Sequence, residues 1–280
     1  MDTATISSTA AGPARAGAMA APARIGAPPA LRVEGLGVRY GALVALEGVT
    51  WEVRAGELLG IIGPNGAGKS SCYDAVTAMV RRSGRVHLGE RDVTGVPPHG
   101  LAALGLKRAF QQNAFFDDLS VLDNFVAVLG EHAYAGLLAS ALNPFSAARR
   151  RALARELAAV QLARFGIPAS YHAQSPKEIP YGVQRMLSIA LAYGRGADVL
   201  LLDEPAAGLG GEDMDALVRL LAELKREGVA LVVIEHHMEL IMAVADRICV
   251  LDLGRQLAYG APAEIQRDPR VREAYLGKPQ

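Results

Sequence analysis

A junction near residue 60 constrains this chain more than any other feature. Leu58-Leu59-Gly60-Ile61-Ile62 is a continuous apolar run, the pattern of a strand covered on both faces. It leads directly into Gly63-Pro64-Asn65-Gly66-Ala67-Gly68-Lys69-Ser70-Ser71, and a helical pattern runs over residues 70–80. Strand, glycine loop and helix in this order form a unit that cradles phosphate. Glycines let the backbone curl so that successive N–H groups point into one concavity. The helix that follows adds its free N-terminal N–H groups and the positive end of its dipole. Lys69 brings a mobile cation for the β- and γ-phosphates of a nucleotide, and Ser70 a hydroxyl ligand for Mg²⁺. A glycine turn with no ligand has no need of the strand before it or the helix after it.

A second junction supports the first. Val199-Leu200-Leu201-Leu202 is another buried-strand pattern, and it ends in Asp203-Glu204. Two carboxylates at the end of a buried strand are costly unless they serve a cation or a reaction. Asp203 is suited to hold Mg²⁺ through water, and Glu204 to polarise an attacking water.

The rest of the chain reads as alternating strands and helices. Short strands are expected at 31–33, 38–40 and 49–53, set apart by Gly35, Gly37, Gly41 and Gly48. Helical patterns follow within 120–165, at 183–193, at 214–227 (Leu217, Leu220, Leu221 and Leu224 on one face, Gly228 at the end) and at 238–245. Further strands are expected at 229–234, 248–251 and 256–259, the last two as a closing hairpin. This alternation implies an α/β fold with a mostly parallel sheet and helices on both faces. Residues 1–30 stand apart, with eleven Ala, four Pro and three Gly, and read as a disordered tail.

Composition removes other classes. Of 280 residues, 51% are hydrophobic, which excludes general disorder. Lys plus Arg and Asp plus Glu both number 29, against binding nucleic acid by bulk charge. That balance averages segregated patches: residues 149–164 carry a net +4, and residues 203–215 a net −5. Two cysteines, Cys72 and Cys249, cannot staple a secreted scaffold or build a four-Cys zinc site. No run of some 20 apolar residues exists; the nearest, 125–148, is broken by Glu131, His132, Asn143 and Pro144.

Several further segments resemble the ATP-binding-cassette (ABC) ATPases in order and spacing. Phe110-Gln111 resembles their Q-loop, and Ile179-Pro180-Tyr181-Gly182-Val183-Gln184-Arg185 their signature motif in a Pro-Tyr-Gly form. Leu201-Leu202-Asp203-Glu204-Pro205 is similar to the second Walker motif, and Ile234-Glu235-His236 to the switch histidine. Tyr40, 29 positions before Lys69, stands where the family stacks an aromatic ring on adenine. Arg108-Ala109-Phe110-Gln111, Phe115-Phe116, Glu235-His236-His237-Met238 and Ala274-Tyr275-Leu276-Gly277 resemble the ATPase subunits of branched-chain amino acid importers and their urea and amide relatives. Two positions depart from the family pattern: Val183 replaces the signature's Gln, and Gly210 stands where Asp or Asn is frequent.

The resemblance implies a P-loop NTPase core over residues 31–280, with an N-terminal antiparallel β subdomain and a helical subdomain inserted at about 112–195. It implies ATP and Mg²⁺ as cofactors, with two subunits closing on two ATP molecules. Lys69 and the loop 63–71 would then hold phosphate, Ser70, Gln111 and Asp203 the metal, and Glu204 the water. His236 would contact the γ-phosphate; His237 has the same chemistry, but the motif's register favours His236. Pro180, Tyr181 and Gly182 would reach the partner's nucleotide. The expected partners are a second ATPase subunit (a copy or a paralogue), two transmembrane permease subunits and, indirectly, a periplasmic solute-binding protein, with no nucleic acid. The expected location is the cytoplasmic face of the inner membrane, as a peripheral protein. Phe115, Phe116 and Leu119 would either be exposed as a docking groove for a permease helix or pack in the helical subdomain's own core. The competing functions are an ATPase of lipid or lipopolysaccharide export and a soluble cassette ATPase acting on nucleic acid. The second usually carries coiled coils, zinc modules or a duplicated cassette.

Overall fold

The structure, a computed structural model, describes residues 28–109, 115–129 and 144–276, without the side chains of residues 144–148, 150, 151 and 276. The chain begins with β1 (Leu31–Tyr40) and β2 (Leu43–Val53), an antiparallel hairpin. The two short strands expected at 31–33 and 38–40 are one. Gly35 and Gly37 do not end it, because register shifts between Val33 and Leu36 and between Leu36 and Val38 absorb them as bulges. Next come β3 (Leu58–Ile62) and α1 (Lys69–Val76). The helix ends four residues before the expected 80, as Ala78 turns left-handed at φ 59°.

Three short strands were not visible in the sequence: β4 (Ser83–Leu88), β5 (Arg91–Asp92) and, beyond α2 (Pro98–Ala103), β6 (Leu106–Arg108). Each has too few apolar residues to show a period. The segment expected as the helical subdomain runs partly outside the described residues. Its described part holds α3 (Val121–Leu129), α4 (Pro144–Arg164) and α5 (Tyr181–Tyr193). The chain then alternates through β7 (Val199–Asp203), α6 (Gly211–Arg226), β8 (Ala230–Ile234) and α7 (Met238–Val244). It finishes with the expected antiparallel hairpin β9 (Arg247–Asp252) and β10 (Arg255–Gly260), then α8 (Pro262–Arg267) and α9 (Pro269–Leu276).

Two sheets result. One is antiparallel, of order β2-β1-β4-β5; the other has six strands in the order β10-β9-β3-β8-β7-β6 and is parallel from β9 to β6. Alternate residues of the central strands feed two cores. Leu58, Ile62, Leu200, Leu202, Leu231 and Val233 face the helices α3 to α6. Leu59, Ile61, Val199, Leu201, Val232 and Ile234 face the antiparallel sheet and α1. That double burial is why β3, β7 and β8 read as unbroken apolar runs. Among the described residues no helix is long and apolar enough to cross a membrane.

Candidate nucleotide site

Parallel pairing brings the functional segments to one edge. Ile61 and Asp203 are both register partners of Ile234, so β3, β7 and β8 end at the same level. The residues just beyond them, Gly63, Glu204 and Glu235, therefore emerge together at the carboxyl ends of the strands, where open α/β sheets bind ligands.

The loop 63–71 has a backbone that only glycine tolerates at two points. Gly63 sits at φ 156° and Gly68 at φ 98°; a Cβ at Gly63 would lie 2.2 Å from the Leu251 carbonyl oxygen, and at Gly68 2.7 Å from that of Ala45. Within the loop the Ala67 N–H donates to the Pro64 carbonyl at 3.1 Å, and the Cys72 N–H to that of Gly68 at 2.9 Å. The Lys69 ammonium folds back and donates to the carbonyls of Gly63 (2.7 Å) and Pro64 (3.0 Å). Burial lowers its pKa, against the pull of Glu204 and Asp203. Asn65, Gly66 and Ser70 are exposed, Pro64, Gly68 and Ser71 half-buried, and Ala67 buried.

Asp203 is pushed up to about 6, first by burial and then by the charge of Glu204. With the exposed Ser70 hydroxyl, Asp203 supplies the hard oxygen donors that suit Mg²⁺. Glu204 is left-handed at φ 46°, an uncommon conformation for a residue with a side chain. Its N–H donates to the Ile234 carbonyl at 2.8 Å, and its own carbonyl accepts the Ala207 N–H at 3.1 Å. Such strain is characteristic of functional positions. His236 Nδ1 lies 3.6 Å from Glu204 Oε1, and the ring is half exposed.

In the sequence Glu235 is marked only as the neighbour of His236. It is fully buried, and its carboxylate ties two loops together. Oε1 accepts the Ala206 N–H at 2.8 Å and Oε2 the His236 N–H at 3.1 Å, linking the turn after β7 to the turn after β8. The signal was available: like Asp203 and Glu204, Glu235 follows directly on a buried strand. A second network was not signalled. Arg108 donates to Asp74 (3.0 Å) and Thr77 (2.7 Å) and lies 4.4 Å over the Tyr73 ring. The Tyr73 hydroxyl bonds the Ala109 carbonyl and lies 3.1 Å from that of Leu201. These contacts join α1, β6 and β7 just before residue 110.

The remaining predicted residues lie elsewhere or are not described. Gln111, with Phe110, falls outside the described residues. Tyr40 ends β1, exposed beside the hairpin turn. Pro180 caps α5, and the exposed Tyr181 accepts a hydrogen bond from Arg185 at 2.9 Å. A Cβ at Gly208 would be 2.9 Å from the Tyr181 ring, and one at Gly182 2.3 Å from the Asp213 carboxylate. The signature thus packs on the turn after β7 and the start of α6. The acidic run 203–215 divides accordingly: Asp203 and Glu204 stand at the strand edge, while Glu212, Asp213 and Asp215 are exposed on the first turns of α6. Of these three, Phe116 and Leu119 are exposed, while Phe115 is half-buried and packs on the helical core. The buried Asn124 holds this turn, accepting the Phe116 N–H at 2.8 Å and donating to the Leu119 carbonyl at 3.1 Å.

Residues 46–207 match the ABC transporter family, and residues 255–279 match the family described as branched-chain amino acid ATP-binding cassette transporter. The high-affinity branched-chain amino acid transport ATP-binding protein LivG of Salmonella typhimurium is 36% identical over 252 residues, 89% of this chain and 98% of that protein. The lipopolysaccharide export system ATP-binding protein LptB of Escherichia coli is 29% identical over 249 residues, 89% of this chain and 97% of that protein. Among solved structures, a nucleotide-free ATP-binding cassette from an ABC transporter superposes with a TM-score of 0.75 at 25% identity, covering 89% of this chain and all of that one.

Proposed function

The chain belongs to the ABC transporter family, and from that membership we propose that it is the ATP-hydrolysing subunit of an importer for branched-chain amino acids or a related small polar solute. The observation that carries the reading is the meeting of the phosphate loop, Asp203, Glu204 and His236 at the ends of β3, β7 and β8. The match over 255–279 and the greater identity to LivG favour import over lipopolysaccharide export.

The site works by positioning and electrostatics. The N–H groups of 63–71 and the Lys69 ammonium take up the phosphate charge. Ser70, Gln111 and Asp203 would hold Mg²⁺, which would offset the charge of the nucleotide's phosphates. Glu204 orients the attacking water and accepts its proton. His236 holds the γ-phosphate beside Glu204. Tyr40 stacks on adenine. The signature of a second ATPase subunit, through its equivalents of Pro180, Tyr181 and Gly182, closes the site with backbone N–H groups at a helix start. That use of the backbone tolerates Val183. The ATPase domain spans residues 31–280 with the helical subdomain at about 112–195 inserted. The subunit works at the cytoplasmic face of the membrane under two permease subunits, with a periplasmic solute-binding protein upstream. Phe116 and Leu119 face the permease.

The test is Glu204→Gln. The variant is expected to keep ATP binding while kcat falls about 100-fold or more and the dimer accumulates closed on ATP. Turnover at the wild-type rate would refute the assignment.

A further inference from the structure

We propose that Glu235, His236 and His237 form a binding site for a transition-metal dication of the zinc class, separate from the Mg²⁺ position, and that filling it silences the ATPase. Their ligand atoms all lie within 4.8 Å of one another. His237 Nδ1 is 3.2 Å from Glu235 Oε2, and His236 Nδ1 is 3.9 Å from the same oxygen. Metal–ligand bonds of about 2.0–2.2 Å in a tetrahedral site place donors about 3.4 Å apart, so small ring rotations bring all three onto one ion. The two imidazoles are already neighbours, with centroids 4.3 Å apart and planes tilted by 35°.

The donor set also selects the ion. Two imidazoles and one carboxylate suit zinc-class metals and are poor ligands for Mg²⁺, which takes oxygens. Glu235 is fully buried, and backbone N–H groups of Ala206 and His236 fix its orientation as outer-shell supports do at metal centres. The rings are 50% and 41% exposed, so an ion enters from solvent. Three protein ligands leave a fourth position for water. Glu204 Oε1, 3.6 Å from His236 Nδ1, borders it. Any proton on either Nδ1 leaves to solvent as the metal binds.

The regulatory half rests on the reading of His236 as the γ-phosphate contact; the binding half does not. A metal on Nδ1 turns the His236 ring toward Glu235 and keeps it from the nucleotide. His237 has no role in that contact, so its removal separates the two halves.

The experiment titrates ZnCl₂ into the nucleotide-free full chain in a non-chelating buffer, by calorimetry, and repeats it with Co²⁺ followed by visible absorption. One zinc ion per chain and the intense d–d bands of four-coordinate cobalt are expected. His237→Ala is expected to weaken zinc at least about tenfold and bleach the bands. His237→Asn, which keeps a polar residue at the start of α7, is expected to do the same with an unchanged melting temperature. In the Mg²⁺-ATP assay, zinc at one equivalent is expected to slow the wild type at least tenfold. Both variants should match the wild type without zinc and resist it. Equal zinc affinity in wild type and variants, or no cobalt bands, overturns the site. Zinc bound through His237 with unchanged turnover overturns the silencing. A wild type that hydrolyses no ATP without zinc counts against the proposed function and leaves the calorimetric result to decide the site.

Discussion

Tyr40 shows how much one residue can be asked to explain. It ends β1, with 47% of its surface exposed and Leu43 as its register partner across the hairpin. An aromatic ring left in water at a strand end has either no task or a flat ligand. Stacking a base on such a ring contributes about 1–3 kcal/mol. Tyr40→Ala is therefore expected to weaken ATP and ADP binding alike by that amount, because both carry adenine, while leaving folding intact. A fluorescence titration with each nucleotide measures it; unchanged affinity would return Tyr40 to the role of an ordinary strand residue. The position of Lys69, Asp203 and Glu204 at the strand ends was legible because each follows a local pattern of strand and turn. The task of Glu235 was not, because its partner Ala206 lies 29 residues away on another strand's turn.

At the scale of elements, α6 was the clearest in the sequence. Leu217, Leu220, Leu221 and Leu224 recur at helical spacing, and all four are buried. Glu212 and Asp213 occupy the first turn, Lys225 and Arg226 the last, as the helix dipole favours. Gly228 turns the chain out at φ 88°. Leu221 is fully buried in the core beneath the six-stranded sheet. Leu221→Ala is expected to cost about 2–5 kcal/mol through lost burial and a residual cavity. Urea unfolding followed by circular dichroism reads this directly, and a change within about 0.5 kcal/mol would place α6 outside the core. The short strands β4, β5 and β6 could not be read in the same way. β4 has one fully buried apolar side chain, Val86, flanked by polar residues, and its place is set by pairing with β1.

At the scale of the molecule, Arg247 is one of several groups that join the two sheets, beside the Arg255–Glu47 ion pair and the Thr50–Gln256 hydrogen bond. Arg247, at the start of β9, forms a two-pronged ion pair with Glu57, Nη2 to Oε2 at 2.7 Å and Nε to Oε1. It also donates to the Glu52 carbonyl of β2 at 3.2 Å, and the Tyr259 hydroxyl donates to that carbonyl at 2.9 Å. Arg247 and Glu57 are 190 residues apart, and both side chains are mostly buried. Arg247→Ala is expected to lower stability by about 2–3 kcal/mol, because it leaves Glu57 without its cation. Arg247→Lys should recover only part, since an ammonium cannot form the two-pronged pair. Denaturation of both variants checks this, and full recovery by Lys would show that charge alone matters.

The sequence by itself determined whatever depends on neighbours along the chain. It specified the glycine loop and its helix, the acidic end of β7, the amphipathic α6 and the closing hairpin, because backbone freedom and side-chain period are local properties. Only the tertiary structure decided what depends on strand order. Placing β8 between β3 and β7 brings Glu235 beneath Ala206 and His236 beside Glu204. Pairing with β2 takes two glycines into β1, and packing on the helical core half-buries Phe115 while leaving Phe116 outside. Those meetings join segments that the chain holds far apart, and long-range pairing alone brings them within a hydrogen bond's reach.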